Sequence, residues 1–373
     1  MFLKNIKNID WVSFVSATII SIMGLSVIYS FSGDNSLFQK QLISLCISIL
    51  FYFLISNINI YFLKHSRFIT FLYIFSVGLL LLVFVIGTAF SGAQSWFSLG
   101  FFAFQPTDLA KIILVFVLAK YFYKRYVEIE NISHLLISGV YSLIIFILLA
   151  LQPDFGSAMI VFFIWLGFIV FAGVPKRYIF SLFALGLVVF VLAFNFFFAD
   201  YQKQRIKTFF NPTADVLGSG YNIVQSNIAL GSGQVFGKGI SYGTQNRLDF
   251  LPQENTDFIY SAIGEEWGFV GILVLYVLFL TIFLRLILVA KNGRTNFESL
   301  LVFGIALYFF VHFFVHIGIN LGFMPVTGTT LPFASYGGSH LLIEFGVLGL
   351  VNAISKTNRK IRKDKISAID IIS

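Results

Sequence analysis

The chain has 373 residues, 58% of them hydrophobic and only 11% charged, with a mean hydropathy of +0.89, which excludes a water-soluble globular domain. Its formal charge of +8 falls in a pattern that membrane topology explains, so no nucleic-acid partner is expected. The single cysteine, Cys46, lies inside an apolar run, which excludes an internal disulfide and makes a Cys-rich metal site implausible.

About 20 apolar residues cross a bilayer as a helix. Ten such runs are expected, near 11–30, 39–58, 68–88, 107–122, 135–152, 155–174, 178–198, 266–290, 297–319 and 337–355. The fold class is therefore an all-α polytopic membrane protein, because helices satisfy their own backbone in lipid. The first run follows Lys4 and Lys7, lacks a small-residue cleavage site, and is expected to stay as an anchor. With the N-terminus inside, 18 of the 25 Lys and Arg fall on one side, six of them in KTNRKIRKDK. Five of the other seven share one long loop, leaving only Lys40 and Lys111 in short outer loops. Both termini are thus expected in the cytoplasm, in a single membrane domain over 1–373. It would carry an outer loop at 199–258 and a basic tail at 356–373 that touches the inner leaflet.

The expected outer side carries most of the remaining polar chemistry. FQPTDLAK at 104–111 puts Pro106 in a helix's first turn, where proline fits, and spaces Asp108 from Lys111 as an i, i+3 pair. On its own this is equally a helix-dipole acid with a snorkelling lysine. LQPDFG at 151–156 repeats the Gln-Pro-acid theme with Gln152 and Asp154. As a turn signal it is ordinary; the repetition is not.

The long loop opens on KQRIKTFFNP, where Arg205 and nearby lysines would meet anionic headgroups or a phosphate-bearing lipid, which guanidinium matches in a bidentate way. It has too much Gly, Asn, Gln and Ser for a packed core, although 221–230 reads as a short amphipathic helix. Polar side chains there, Gln225 and Ser226 among them, suit sugar hydroxyls. The loop ends on LPQENTDF, directly before a span that begins with Glu265 and Glu266, so Glu254, Asp257, Glu265 and Glu266 crowd one membrane boundary. Gly264 and Gly268 suggest close helix packing there. Within the spans, His312 and His316 read as a packed or interhelical hydrogen-bonded pair rather than a metal site. Glu344 needs an unidentified partner, and Arg285 is expected to snorkel.

Taken in order, QPTDLAK, QPDFGSA, RIKTFFNPTADVLGSGYNIVQS, GSGQVFGKGISYGTQ, LPQENTDFIYSAIGEEWGFVG and NLGFMPVTGTTLPFASYGGS resemble the SEDS family (shape, elongation, division and sporulation) over about 10–355. TQNRLDFLPQ and LPFASYGG look more like its elongation type, RodA, than its division type, FtsW. The resemblance implies a peptidoglycan glycosyltransferase that polymerises lipid II at the outer face of the bacterial cytoplasmic membrane, with undecaprenyl pyrophosphate leaving. It implies a class B penicillin-binding protein as partner, with other elongation or division proteins. The family's essential acid maps to Asp257, as general base or as the group that organises it.

Substrate contacts are expected from Gln105, Asp108, Lys111, Gln152, Asp154, Arg205, Gln225, Ser226, Lys238, Arg247, Glu254, Thr256, Ser335 and Tyr336. Arg205, Lys238 and Arg247, or a divalent cation such as Mg2+ or Mn2+, would take up pyrophosphate charge; no cofactor is otherwise implied. Three departures from the family pattern stand out. Asn255 replaces a histidine, Asp108 replaces a glutamate and shortens the reach to Lys111, and Ser95 stands where an arginine is common. A lipid flippase and an O-antigen ligase or polymerase are the rival readings. A flippase should spread polar groups through the membrane depth and over both faces, whereas here they concentrate on one.

Overall fold

The computed structural model describes every residue except 1–8, 32–35, 91–92, 99–102, 126–131, 197, 199, 212–218, 249, 252 and 371–373. The helices are α1 (Trp11–Phe31), α2 (Ser36–Ile55), α3 (Ser66–Ile86), α4 (Pro106–Lys124), α5 (Ile132–Leu151), α6 (Phe155–Ala172) and α7 (Lys176–Phe196). Then come α8 (Asp200–Phe210), α9 (Ser219–Ser232), α10 (Thr244–Arg247), α11 (Ile259–Lys291), α12 (Asn296–Asn320) and α13 (Gly338–Asp370). Among the described residues, nine of these helices are long and apolar enough to cross a membrane. The protein is an all-α polytopic membrane protein, as its hydropathy demands. A small antiparallel sheet, β1 (Thr88–Phe90), β2 (Ala93–Ser98) and β3 (Ala103–Phe104), links α3 to α4. Hydropathy alone gave no sign of it.

The tenth expected span, α4, differs in kind. Asp108, Lys111, Lys120 and Lys124 make it too charged to face lipid, and the fold instead surrounds it. From Pro106 to Ala119 only Leu109 escapes full burial, with α3, α5, α6 and α12 packed around the helix. Charges inside a membrane protein are tolerated where protein, not lipid, is the neighbour. Lys111, assigned to a short outer loop by charge counting, is instead buried in the second turn of α4. Apolar side chains such as Leu50, Ile74, Val85 and Leu187 point outward, as the lipid-facing side requires.

Two further expectations need correction. The long loop does pack: α9 buries Ile223, Ser226 and Ala229 and lies along α11. The acids Glu265 and Glu266 do not begin a helix but lie inside one, since α11 already starts at Ile259. Its ladder breaks at Gly268, with φ 65° and ψ −163°, a conformation open to glycine. Loop backbone fills the break: Phe269 and Val270 N–H donate to the carbonyls of Gln234 (2.9 Å) and Val235 (3.0 Å). Lys238 and Gly239 N–H donate in return to the carbonyls of Glu265 and Glu266, both at 3.0 Å. A Cβ on Gly237 or Gly268 would overlap the opposing backbone.

At the other end of the bundle Arg285 does more than snorkel. Its Nε lies 3.0 Å from each oxygen of Asp10, and a terminal nitrogen lies 2.8 Å from Oδ1. Asp10 also receives Ser13 Oγ at 2.6 Å, and its own N–H donates to Asn352 Oδ1 at 2.9 Å. One residue thus ties three helices: the Asp10 carboxylate joins α1 to α11, and its backbone N–H reaches α13. Because the guanidinium is partly exposed while Asp10 is buried, Asp10→Ala should cost about 1.5–3 kcal/mol, the scale of hydrogen bonds to charged groups. The thermal midpoint of the purified protein in detergent measures it, and Arg285→Lys, which forfeits the fork, should fall between the two.

Candidate functional site

The proposed acid sits in a tight turn at the start of α11, at the loop-rich end of the bundle. Gln253 takes a positive φ of 55°, so its carbonyl accepts from the N–H groups of Thr256 (3.1 Å), Asp257 (3.0 Å) and Phe258 (3.3 Å). Phe258 and Ile259 plug this turn into the core, leaving Asp257 half-buried two residues before the helix. The positive end of a helix dipole suits an anion. Gly328 faces the acid: a Cβ built there would stand 3.7 Å from Asp257 Oδ2.

Two partners fix this turn. Asn320, fully buried at the end of α12, donates through Nδ2 to the carbonyls of Asp257 (2.8 Å) and His316 (2.9 Å). Its Oδ1 accepts from Ser261 N–H (3.2 Å) and Oγ (2.8 Å). The second partner is the segment after α12. Ser335 Oγ donates to the Thr256 carbonyl and accepts from Leu331 N–H, both at 2.8 Å. Tyr336 N–H donates to the Asn255 carbonyl at 2.8 Å. Ser335 and Tyr336, singled out from the sequence, do meet the acid's turn, through its backbone. Burial raises the Tyr336 phenol pKa. Gln41 of α2 closes the far end, accepting from Gly337 N–H (3.1 Å) and donating to the Ser335 carbonyl (3.2 Å).

Beneath this segment lies a buried polar cluster. Asp108 Oδ1 pairs with Lys111 Nζ at 2.8 Å, so the shorter acid still reaches its lysine, because both side chains are confined on one face of α4. Lys111 also stands 3.3 Å from His312 Nε2. Asp108 Oδ2 is 3.1 Å from Nδ1 of His340, whose Nε2 lies 2.9 Å from Glu344 Oε1 and 2.8 Å from Thr330 Oγ1. Glu344 Oε2 accepts Phe333 N–H at 2.7 Å. The missing partner of Glu344 is therefore His340, one turn before it. His312 and His316 do not pair with each other: His312 meets Lys111, while His316 Nδ1 donates to the Thr329 carbonyl at 2.8 Å.

The other expected site residues are more dispersed. Gln152 donates to the Leu80 carbonyl (2.8 Å), and Asp154 caps α6 by accepting Ser157 N–H (3.0 Å). Burial raises the pKa of Asp154, with the nearby Lys111 charge opposing it. This turn touches the Gly328 segment, since a Cβ on Gly156 would press on Thr327 and Thr329. Ser226 Oγ is occupied by Ser261 Oγ (2.6 Å) and the Asn320 carbonyl (2.7 Å), which fastens α9 to the site. Lys238 Nζ is held by Glu265 Oε1 (2.7 Å) and Thr244 Oγ1 (2.8 Å). Gln105, Gln225 and Glu254 are partly exposed. The side chains of Arg205 and Arg247 lie outside the described set. Sequence reasoning missed Asn320, Gln41 and His340. For His340 a signal existed, a basic and an acidic residue four apart in an apolar span.

Asn320→Leu keeps the branched shape and removes both ends of this junction. The buried groups left unpaired should lower stability by roughly 2–4 kcal/mol, read as a thermal midpoint in detergent. Ser226→Ala, which deletes one spoke, should lose less.

The chain matches the family model described as cell cycle protein, covering FtsW, RodA and SpoVE, over residues 9–360. It is 37% identical over 293 residues to the peptidoglycan glycosyltransferase MrdB of Escherichia coli, spanning 78% of each chain. It is 36% identical over 296 residues to the probable peptidoglycan glycosyltransferase FtsW of Haemophilus influenzae, spanning 78% of this chain and 74% of that one. Among solved structures it superposes on a chain of a peptidoglycan synthase complex with a TM-score of 0.80 and 31% identity, covering 94% of this chain and 98% of that one. For RodA of Thermus thermophilus the TM-score is 0.69 at 29% identity, covering 94% and 97%. Matched along nearly its whole length in sequence and fold, the chain belongs to the FtsW/RodA/SpoVE family of cell cycle proteins.

Proposed function

We propose that the protein is a peptidoglycan glycosyltransferase that polymerises lipid II, with Asp257 as the base. The observation that carries this reading is the placement of Asp257. It is a half-buried acid at the loop-rich end in a turn that Asn320, Ser335 and Tyr336 all hold in place, with Asn320 bonded to the carbonyl of Asp257 itself. A sugar 4-hydroxyl is a poor nucleophile, and a fixed carboxylate that takes its proton contributes about 10²–10⁴-fold. The hydroxyl oxygen bonds to the anomeric carbon of a second lipid-linked sugar as its proton passes to Asp257. The anomeric carbon–oxygen bond breaks, and its electron pair leaves on undecaprenyl pyrophosphate. Fixing the acid matters as much as having it, because proximity and orientation account for much of an enzyme's effect.

Charge on the leaving group needs cations nearby. Lys238 is one, though its bond to Glu265 makes it a shared charge; Arg205 and Arg247 are the other candidates on the same loop. Among the described residues no three His, Cys, Asp or Glu side chains gather to hold a metal ion. A divalent cation would enter as the counter-ion of pyrophosphate. The loop-rich end faces outward from the bacterial cytoplasmic membrane in this reading, and a class B penicillin-binding protein crosslinks the strands. The ending LPFASYGG favours the elongation role.

Purified protein, with and without a class B penicillin-binding protein, should convert lipid II into glycan strands resolved by gel. Asp257→Asn, almost isosteric, should fold as wild type does and lose about 10²–10⁴-fold in rate. Full activity in Asp257→Asn would remove that residue and turn attention to Asp154 or Glu254. No polymer from an intact wild-type complex would instead favour a flippase, to be tested by lipid II transfer across vesicles.

A further inference from the structure

The buried cluster on α4, α12 and α13 lies beneath the water-facing acid, and one of the contacts that lead from it toward the acid runs through His340. His340 Nδ1 faces Asp108, while its Nε2 is shared between Glu344 Oε1 at 2.9 Å and Thr330 Oγ1 at 2.8 Å. Thr330 is two residues beyond Gly328, which packs toward Asp257 Oδ2. Residues 325–330 have no helical ladder, and Gly328 itself takes φ 73°. Their place is therefore set by side chains reaching them from below. Three do so here: His316 at the Thr329 carbonyl, His312 at the Thr330 backbone and His340 at the Thr330 hydroxyl.

We propose that His340 is a positioning residue for the reaction proposed above: by holding the Thr330 hydroxyl it keeps the Gly328–Thr330 segment packed against Asp257. The inference rests on that reading of the reaction. Its competitor is a purely electrostatic role, in which His340 only balances Asp108 and Glu344 and the Thr330 contact is incidental. The two ring nitrogens allow a separation. In His340→Gln the amide nitrogen falls near the place of Nε2 and keeps the reach to Thr330. In His340→Asn it falls near Nδ1, keeping Asp108 and abandoning Thr330. Thr330→Val removes the hydroxyl and leaves every charge in the cluster untouched.

The test measures kcat and KM for lipid II in these three variants and the double variant His340→Asn/Thr330→Val, together with amide hydrogen exchange over 325–337. If His340 positions the loop, His340→Asn and Thr330→Val each lower kcat roughly 10- to 100-fold, the scale set by a misplacement of about 1 Å. KM stays near the wild-type value, exchange over 325–337 rises, and the double variant is no worse than the worse single. His340→Gln stays close to wild type in both readouts. Wild-type kcat and exchange in Thr330→Val would overturn the proposal, as would a His340→Gln as impaired as His340→Asn. Should His340→Asn fail to fold, Thr330→Val decides alone, since it carries no charge change. If wild type makes no polymer the polymerase reading falls, while exchange in Thr330→Val still shows whether the hydroxyl pins the loop.

Discussion

A backbone that leaves the helix inside a membrane protein must find partners for its N–H and C=O groups, because neither lipid nor water supplies them. The stretch 329–337 is such a backbone. Residues 331–335 are fully buried, and Phe333 has a positive φ of 64°, unusual for an aromatic residue. Side chains from three helices provide what the helical ladder cannot. Gln41 closes the end, Glu344 takes the Phe333 N–H, and His316 reaches the Thr329 carbonyl. Ser335 completes the set from within, serving Leu331 and then Thr256. The turn that holds Asp257 is fixed by this segment together with Asn320 at the end of α12.

The same constraint accounts for acids at a membrane boundary. Glu265 and Glu266 look expensive when α11 is read as a span with a polar preface. In the fold they flank the break at Gly268, where α11's backbone groups turn to the 234–239 loop instead of to their own helix. Glu265 accepts from Lys238 Nζ and Gln245 N–H, and Glu266 from Ser241 N–H. The carboxylates anchor the loop that the kink admits. Glycine at 237 and 268 is required by contact, since two backbones meet there with no space for a side chain.

What could be read from the sequence was what is local. Spans follow from runs of apolar residues, and the stretch that carries the acid from the order of the motifs. The pairings could not be read that way. Asp10 meets Arg285 across 275 residues and Gln41 meets Ser335 across 294, separations that no periodicity encodes. Charge counting misplaced Lys111 because it counts a residue near a helix end as loop, whereas this one is paired inside the protein. A Gly- and Asn-rich loop was expected to stay unpacked. It packs because α9 needs only Ile223, Ser226 and Ala229 to seat it.

Why the core beneath the site is ionic at all follows from a chain of obligations. Phe333 N–H is best met by a carboxylate, since charge-assisted hydrogen bonds are the stronger kind, and Glu344 supplies it. A buried carboxylate is costly unless paired, which brings in His340 within one helical turn. The other nitrogen of that ring turns to Asp108, and Asp108 in turn holds Lys111. Two acidic and two basic side chains thus alternate across α4 and α13, and each shields its neighbour from an apolar surrounding. An apolar core of equal volume would pack as well or better, but it would leave Phe333 N–H and Thr330 without partners. The ions earn their place by the backbone they hold.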